Sequence, residues 1–494
     1  MKPLLILAMI IGYFLVLLLI SQITSRNSDN NSFFIGNRRS PWYIVAIGMI
    51  GASLSGVTYI SVPGWVITSK FFYIQMVLGY LLGYAAIVHV LLPLYYRLQL
   101  TSIYTYLDDR FGKYSYKTGA VFFLISRIIG ASFRLFIVAN VLQLTIFNSL
   151  KVPFAVTIII TLAFIYIYTF RAGIKTIVWT DTLQTVLMLT AVLMSIFYLA
   201  RSLDLNASQL FSKILADERT QIFNFTDWKS KSYFFKQFLS GAFITIVMTG
   251  LDQDMMQKNL SCKSLRDAQK NMYSYSLMLL PVNFMFLSLG FLLILLVRQQ
   301  GLDLPETSDD LFPMFATGND VPVYLGFIFI LGLIAAAYSS ADSALTALTT
   351  SVTIDILNAG NQPEHKLSKL RLRVHILMSV IIGIVIFMFK LFHNEAVISS
   401  LFKAAGYTYG PLLGLYAFGL LTKRGVRDRW IPVIAFTAPL VSFGIKILLE
   451  FLIHKYEAGY EILVINGFIT FILVFMVSSG SRNEKPWAKI KKNT

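Results

Sequence analysis

The chain has 494 residues, 56% of them apolar or aromatic and 14% charged, with a formal net charge of +17. Soluble domains average about 45–50% apolar and about 25% charged, whereas these apolar residues fall in blocks of about 20, the length a helix needs to cross a bilayer core. That excludes a soluble enzyme and a disordered tail protein, and a single cysteine, Cys262, excludes a disulfide scaffold or a cysteine metal cluster.

Thirteen apolar blocks are predicted to span the membrane, near 3–21, 43–69, 72–97, 118–148, 153–170, 174–201, 233–257, 270–298, 321–356, 372–391, 396–421, 430–454 and 460–479. The first has only Lys2 before it and no small-residue cleavage site after it, so it reads as a span rather than a signal peptide. Alternate loops are basic: Arg26, Arg38 and Arg39; Arg97, Arg110, Lys113 and Lys117; Arg171 and Lys175; Lys258, Lys263, Arg266 and Lys270; Lys366, Lys369, Arg371 and Arg373; Lys423, Arg424, Arg427 and Arg429; and the tail from Arg482 to Lys492. Cytoplasmic loops retain Lys and Arg, so the N-terminus is expected outside and the C-terminus inside. The positive charge then belongs to the inner membrane face of a multi-pass cell-membrane protein, bacterial inner membrane or plasma membrane, and not to a nucleic-acid surface. The sizeable outer loops are 203–232 and 299–320, the latter acidic through Asp303, Glu306, Asp309, Asp310 and Asp320.

Two long spans are interrupted. The second reads Gly51-Ala-Ser-Leu-Ser-Gly-Val-Thr-Tyr-Ile-Ser-Val-Pro63-Gly64, and the seventh holds Thr249-Gly-Leu-Asp252-Gln-Asp254. Small, polar and helix-breaking residues at mid-membrane free backbone groups, tolerable only beside a cavity or other protein. A pair of such breaks at a five-helix offset points to an inverted-repeat transporter with its site at the midplane; a small-residue packing face is the plainer reading of either break alone.

The ninth span carries Ala336, Ser339, Ser340 and Ser343 on one helical stripe, with Asp342 beside it. Hydroxyls, carbonyls and a carboxylate are hard donors suited to a small cation. The serines could equally bond the preceding turn, but an intramembrane carboxylate is costly and usually functional. Asp181 lies near a helix start, where capping competes with an ion role. Asp252 and Asp254 sit at the seventh-span break, Lys403 inside the eleventh span, and Arg127 and Arg134 on one face of the fourth; charges at such depth need partners or a ligand, Asp252 with Lys403 for example.

These residues resemble the sodium:solute symporter family, which includes sodium-coupled sugar, proline, pantothenate and sialic acid carriers. The resemblance covers about residues 3–480. It rests on the broken span ending Val62-Pro63-Gly64, the run Gly173-Ile-Lys-Thr-Ile-Val-Trp-Thr-Asp181-Thr-Leu-Gln184, Asp252-Gln253 with Gln257-Lys258, the Ser339-Ser340 stripe, and Gly406-Tyr-Thr-Tyr-Gly-Pro411 leading to Gly414. It implies an all-α LeuT-type fold: an extra helix and inner loop over 1–42, inverted five-helix repeats over 43–202 and 233–421 separated by the outer loop 203–232, two further helices over 422–480, and a basic cytoplasmic tail over 481–494.

The resemblance implies a main sodium site at Gly51, Leu54, Ala336, Ser339 and Ser340, where Gly51, Leu54 and Ala336 need supply only backbone oxygen. Some relatives hold a second ion, which maps onto Asp181, Ser339, Asp342 and Ser343; Asp342 stands where a hydroxyl is expected, and could strengthen that site or admit a proton. Solute contacts map onto Ser53, Ser55, Thr58, Asp252, Lys403 and, across an alignment gap, Arg134. The expected activity is sodium-coupled symport of a small polar solute, whether acid, zwitterion, sugar or polyol, with no catalytic residues and the bilayer as partner. Proton coupling within the same fold is the alternative. A channel lacks its continuous polar face, the dispersed His89, His365, His375, His393 and His454 make no enzyme metal set, and a sensor would need an appended signalling domain.

Overall fold

The computed structural model describes residues 3–25, 29–169, 173–318, 321–392 and 397–479. Arg26, Arg171, Asp320, His393 and the basic tail expected over 481–494 lie outside the described residues. In chain order the main helices are α1 (Pro3–Ser25), α2 (Trp42–Ser53), α3 (Gly56–Ser69), α4 (Tyr73–Arg97), α5 (Lys113–Leu142), α6 (Phe154–Thr169), α7 (Ile174–Ser202), α8 (Phe234–Gly250), α9 (Gln253–Leu260), α10 (Leu265–Gln299), α11 (Val323–Ile356), α12 (Glu364–Phe392), α13 (Val397–Thr408), α14 (Gly410–Leu421), α15 (Asp428–Leu452) and α16 (Ile462–Met476). Among the described residues, eight helices are long and apolar enough to cross a membrane, ten when each bent pair counts as one span, and α6, α14 and α16 are shorter apolar helices. A two-residue strand pair, Gly425–Val426 with Ser478–Ser479, ties the ends of the last two helices.

Both predicted breaks are real bends. Helix α2 stops at Ser53, Leu54 takes non-helical φ −86° and ψ 69°, Ser55 is extended, and α3 leaves at 56°. Helix α8 widens into a π-turn over Ile246–Gly250, and after Leu251 and Asp252 helix α9 leaves at 64°. A helix end leaves its last carbonyls and the next helix's first N–H groups without helical partners, so each bend sets polar backbone in the protein interior.

Glycine spacing lets the neighbours close in around these bends. Helix α4 lies against α8, where a Cβ at Gly79 would stand 2.0 Å from the Phe238 carbonyl and one at Gly241 2.2 Å from that of Met76. Helix α10 lies across α2 and α3 in the reciprocal way, a Cβ at Gly290 falling 2.1 Å from the Pro63 carbonyl. A Cβ at Gly64 would stand 1.8 Å from the Ser308 carbonyl, which gives the Val62-Pro63-Gly64 run its physical reason. Such close approach is how helices associate where the surrounding lipid is as apolar as the side chains. Helix α7 packs on α11 and α2. It approaches α2 so tightly that Gly51 has no room for a Cβ, which would sit 2.1 Å from Thr185 Oγ1.

The loops sort into two sets that touch their own members. Ser40 bridges Cys262, Asn30 accepts from Arg371 and donates to Glu364, and Arg110 donates to the carbonyls of Thr422 and Arg424. In the other set Lys70 donates to Gln221, Asn224 N–H to Gln75, and Glu457 N–H to the Lys229 carbonyl. The first set consists of loops predicted inside and the second of loops predicted outside. Burial pushes the Cys262 thiol up to about 12, so it stays protonated and unreactive.

Candidate ion and solute sites

The first oxygen cluster lies where the second-span break meets α11. Ser340 Oγ, fully buried, donates to the Ala52 carbonyl at 3.2 Å and toward that of Ala336 at 3.5 Å. Gly51, Ala52 and Leu54 occupy the end of α2, beyond which the chain leaves the helix, so their carbonyls lack the donors of a following turn. Backbone oxygens from the end of α2 and a hydroxyl and carbonyl from α11 make a donor set of hard oxygens alone, which fits a small bare cation. Ala52 joins this set although the sequence mapping passed over it.

Ser339 turns away from that cluster. Its hydroxyl donates to Asp181 Oδ1 at 2.6 Å, while Ser343 donates to Asp181 Oδ2 at 3.4 Å and Asp342 Oδ1 at 3.2 Å. Tyr168 OH completes Asp342 by donating to Oδ2 at 2.8 Å. Asp181 lies two turns inside α7, which begins after Gly173 at φ 53°, so it does not cap that helix. The residues expected to hold a second ion, Asp181, Ser339, Asp342 and Ser343, are therefore brought together, all buried.

A cation already stands in that cluster. Lys258, which the loop pattern assigned to the inner surface, is 1% exposed, and its Nζ lies 2.8 Å from Asp181 Oδ2 and 4.0 Å from Asp254 Oδ1. Two like unit charges about 4 Å apart repel by about 4 kcal/mol at an effective dielectric near 20. A diffusible cation on the same carboxylate oxygen would meet that repulsion, so this set fits a second metal ion poorly. The signal in the sequence was the spacing of Asp254 and Lys258, one helical turn apart.

A cavity of about 90 Å³ opens beside the α2–α3 break. Ser53, Ser55 and Thr58 line it, as do Tyr84, Arg127, Arg134, Thr249 and Asn283. Ser53 and Tyr84 both bond the Tyr275 hydroxyl, the latter at 2.6 Å. Arg134 is 6% exposed, with no hydrogen-bond partner for Nε or Nη1, and Asn283 Oδ1 also lacks one. Asn283 and Tyr84 escaped the sequence reading because each lies within a long apolar span without a break to mark it, whereas Arg127 stood out there as a buried charge needing a partner or ligand.

Asp252 stands behind the cavity wall. Its Oδ1 caps α9 by accepting the N–H groups of Asp254 and Met255 at 3.0 and 3.3 Å, while Oδ2 accepts from Tyr409 and lies 3.8 Å from Arg127. Arg127 also pairs with Asp254. The expected Asp252–Lys403 pairing is thus corrected: helix capping and Arg127 claim Asp252. Lys403 is exposed and lines a different cavity with Lys231, Glu450 and Glu457.

The model of the sodium:solute symporter family matches residues 33–428. The chain belongs to the sodium:solute symporter family. It is 23% identical over 431 residues to a sodium/sialic acid symporter of Proteus mirabilis, covering 84% of each chain. It is also 23% identical to a sodium/sialic acid symporter of Aliivibrio fischeri, covering 90% of this chain and 88% of that one. Human sodium-coupled monocarboxylate transporter 1 is 26% identical over 79% of this chain and 64% of its own. In structure the chain is similar to a Na+-coupled sialic acid symporter in a substrate-bound outward-open state. The TM-score is 0.80 at 20% identity, covering 96% of this chain and 99% of that one. The nucleobase-cation-symport-1 family transporter Mhp1 follows at 0.56 and 14% identity, covering 92% and 95%. The fold is the LeuT-type fold expected from the sequence, and this family member is a multi-pass membrane symporter that couples sodium to a small organic solute; it is not an enzyme.

Proposed function

We propose that the solute is a small carboxylate gripped by Arg134, and that sodium is held at the Gly51, Ala52, Leu54, Ala336 and Ser340 oxygens. The observation that carries the solute class is the buried Arg134 guanidinium, with two nitrogens unspent beside the cavity. A buried cation without a partner is costly, and a planar guanidinium matches a carboxylate by two parallel hydrogen bonds. Each water needs about 10–15 Å³ of such space, so the 90 Å³ cavity suits a solute of a few heavy atoms in this conformation. Ser53, Ser55, Thr58 and the free Asn283 oxygen then meet its remaining polar groups.

Coupling follows from shared backbone. Bound sodium supplies a charge that ties the unwound end of α2 to α11, across the repeats proposed over 43–202 and 233–421. Leu54, a sodium-site residue, lies between Ser53 and Ser55 of the cavity, so ordering the break orders the solute contacts. Linkage makes the effect reciprocal. With the basic loops inside, the C-terminus is cytoplasmic and the N-terminus external. Alternating access then moves sodium and solute inward; the sodium charge gains about 2.3 kcal/mol per 100 mV and a carboxylate loses as much, so with one sodium per carboxylate the sodium concentration gradient is the driving force.

The test is a thermal-stability screen of purified protein against carboxylates of increasing size and their amide analogues, with sodium or choline. A ligand that binds only the folded state raises the unfolding midpoint. Small carboxylates should stabilise only in sodium, and Arg134→Gln should abolish the shift. Stabilisation by the amides as strong as by the acids would refute the assignment to Arg134.

A further inference from the structure

We propose that the Lys258 ammonium is the resident cation of the second oxygen cluster, so that this symporter binds one sodium ion, at the Ser340 site, and not two. The proposal rests on the Ser340 reading for the ion that does bind, and on separate geometry for the one that does not.

Lys258 comes from α9, Asp181 from α7, and Ser339, Asp342 and Ser343 from α11. The ammonium lies 2.8 Å from Asp181 Oδ2, the oxygen to which Ser343 also donates, while Ser339 occupies Oδ1. Both oxygens of Asp181 are therefore engaged by protein donors, one of them carrying a full positive charge. Asp342 is the remaining acid, and its oxygens accept from Tyr168 and Ser343. A diffusible ion there would tie α7 to α11; the ammonium ties α9 to that same α7–α11 cluster, and because it is tethered it cannot dissociate and so transports no charge. The pairing extends toward the solute cavity, because Lys258 shares Asp254 with Arg127 and Arg127 lines the cavity wall. Removing the ammonium leaves Asp181, Asp342, Ser339 and Ser343 with an uncompensated negative charge and hard oxygens alone, the composition that draws in sodium.

Equilibrium binding of radioactive sodium to the purified full-length protein tests this. The wild type is expected to bind about one sodium per chain, and Asp181→Asn is expected to leave that number unchanged. Lys258→Met, which keeps the length of the side chain without its charge, should raise the count toward about two and make sodium activation of uptake cooperative; Lys258→Arg should stay at about one. A wild type that binds about two sodium ions, with Asp181→Asn reducing it to one, would overturn the proposal even if Lys258→Met fails to fold. So would a folded Lys258→Met that still binds one. Ser340→Ala separates the two readings: a single site that survives it unchanged refutes the Ser340 assignment while the count of one still supports Lys258.

Discussion

Replacing Ser340 by alanine removes one oxygen from the main ion site and changes little else. In the structure its hydroxyl makes only long contacts, 3.2 Å to the Ala52 carbonyl and 3.5 Å to that of Ala336, so their loss should cost the fold about 1 kcal/mol or less. Against a cation the same oxygen matters more. Polar contacts to charged groups are worth about 1.5–3 kcal/mol, and about 1.4 kcal/mol is tenfold in affinity. Sodium half-saturation should therefore rise about 10- to 150-fold. Because the effect acts through occupancy, solute affinity at saturating sodium should stay within about threefold of wild type. Uptake into proteoliposomes against external sodium reads the first quantity, and solute titration at the highest sodium reads the second. An unchanged sodium half-saturation, or an equal loss of solute affinity at every sodium concentration, would refute the placement of the ion.

The other predictions concern the cavity, its supports and the loop over 203–232. Arg134→Gln should weaken solute binding by about 2–5 kcal/mol, the usual effect of truncating one member of a buried charge pair, with sodium affinity in the absence of solute unchanged by direct binding measurement. Asp252→Ala should lower stability by about 2–5 kcal/mol through the lost α9 cap and the loss of one of the two carboxylates that face the buried Arg127. Asp252→Asn, still able to cap, should recover part of the thermal midpoint and bind solute normally; selective loss of solute binding in the asparagine variant would place Asp252 at the solute after all. Gly79→Val should overpack the α4–α8 crossing, costing about 1–3 kcal/mol or more, seen as reduced folded yield in detergent. In the loop over 203–232, the Arg219 side chain bonded to Asp217 holds that carboxyl below the usual carboxylate range. A depressed folded value means the pairing stabilises fully above the unfolded value, near about 3.9, and its contribution falls as pH drops through the lower folded value. Arg219→Gln should flatten the pH dependence of the thermal midpoint below about pH 4. An unchanged profile would show that the pair does not stabilise the fold.

Hydropathy and backbone chemistry made much of this protein legible in its sequence. A bilayer admits few ways to satisfy a peptide group, so blocks of apolar residues had to be helices. Pro63, Pro281 and Pro439 stay inside helices, whereas the small and polar runs near 51–56 and 249–254 marked breaks. The 56° and 64° bends at Leu54 and Leu251–Asp252 lie where those residues stand. The stripe on α11 was legible for the same reason, since an aspartate among buried hydroxyls is too costly to be incidental.

Partner choice was not legible, because it depends on which helices the fold sets side by side. Asp252 and Lys403 are both charged and both within predicted spans, yet one caps a buried helix and the other lines a separate cavity with Lys231 and Glu457. Lys258 follows the pattern of an inner-loop lysine, and only the crossing of α7, α9 and α11 turns its ammonium inward onto Asp181. Local sequence determines which segments are helical and where they break, since those depend on neighbours along the chain. Which charge meets which is decided by contacts between residues far apart in it, and that the tertiary structure alone supplies.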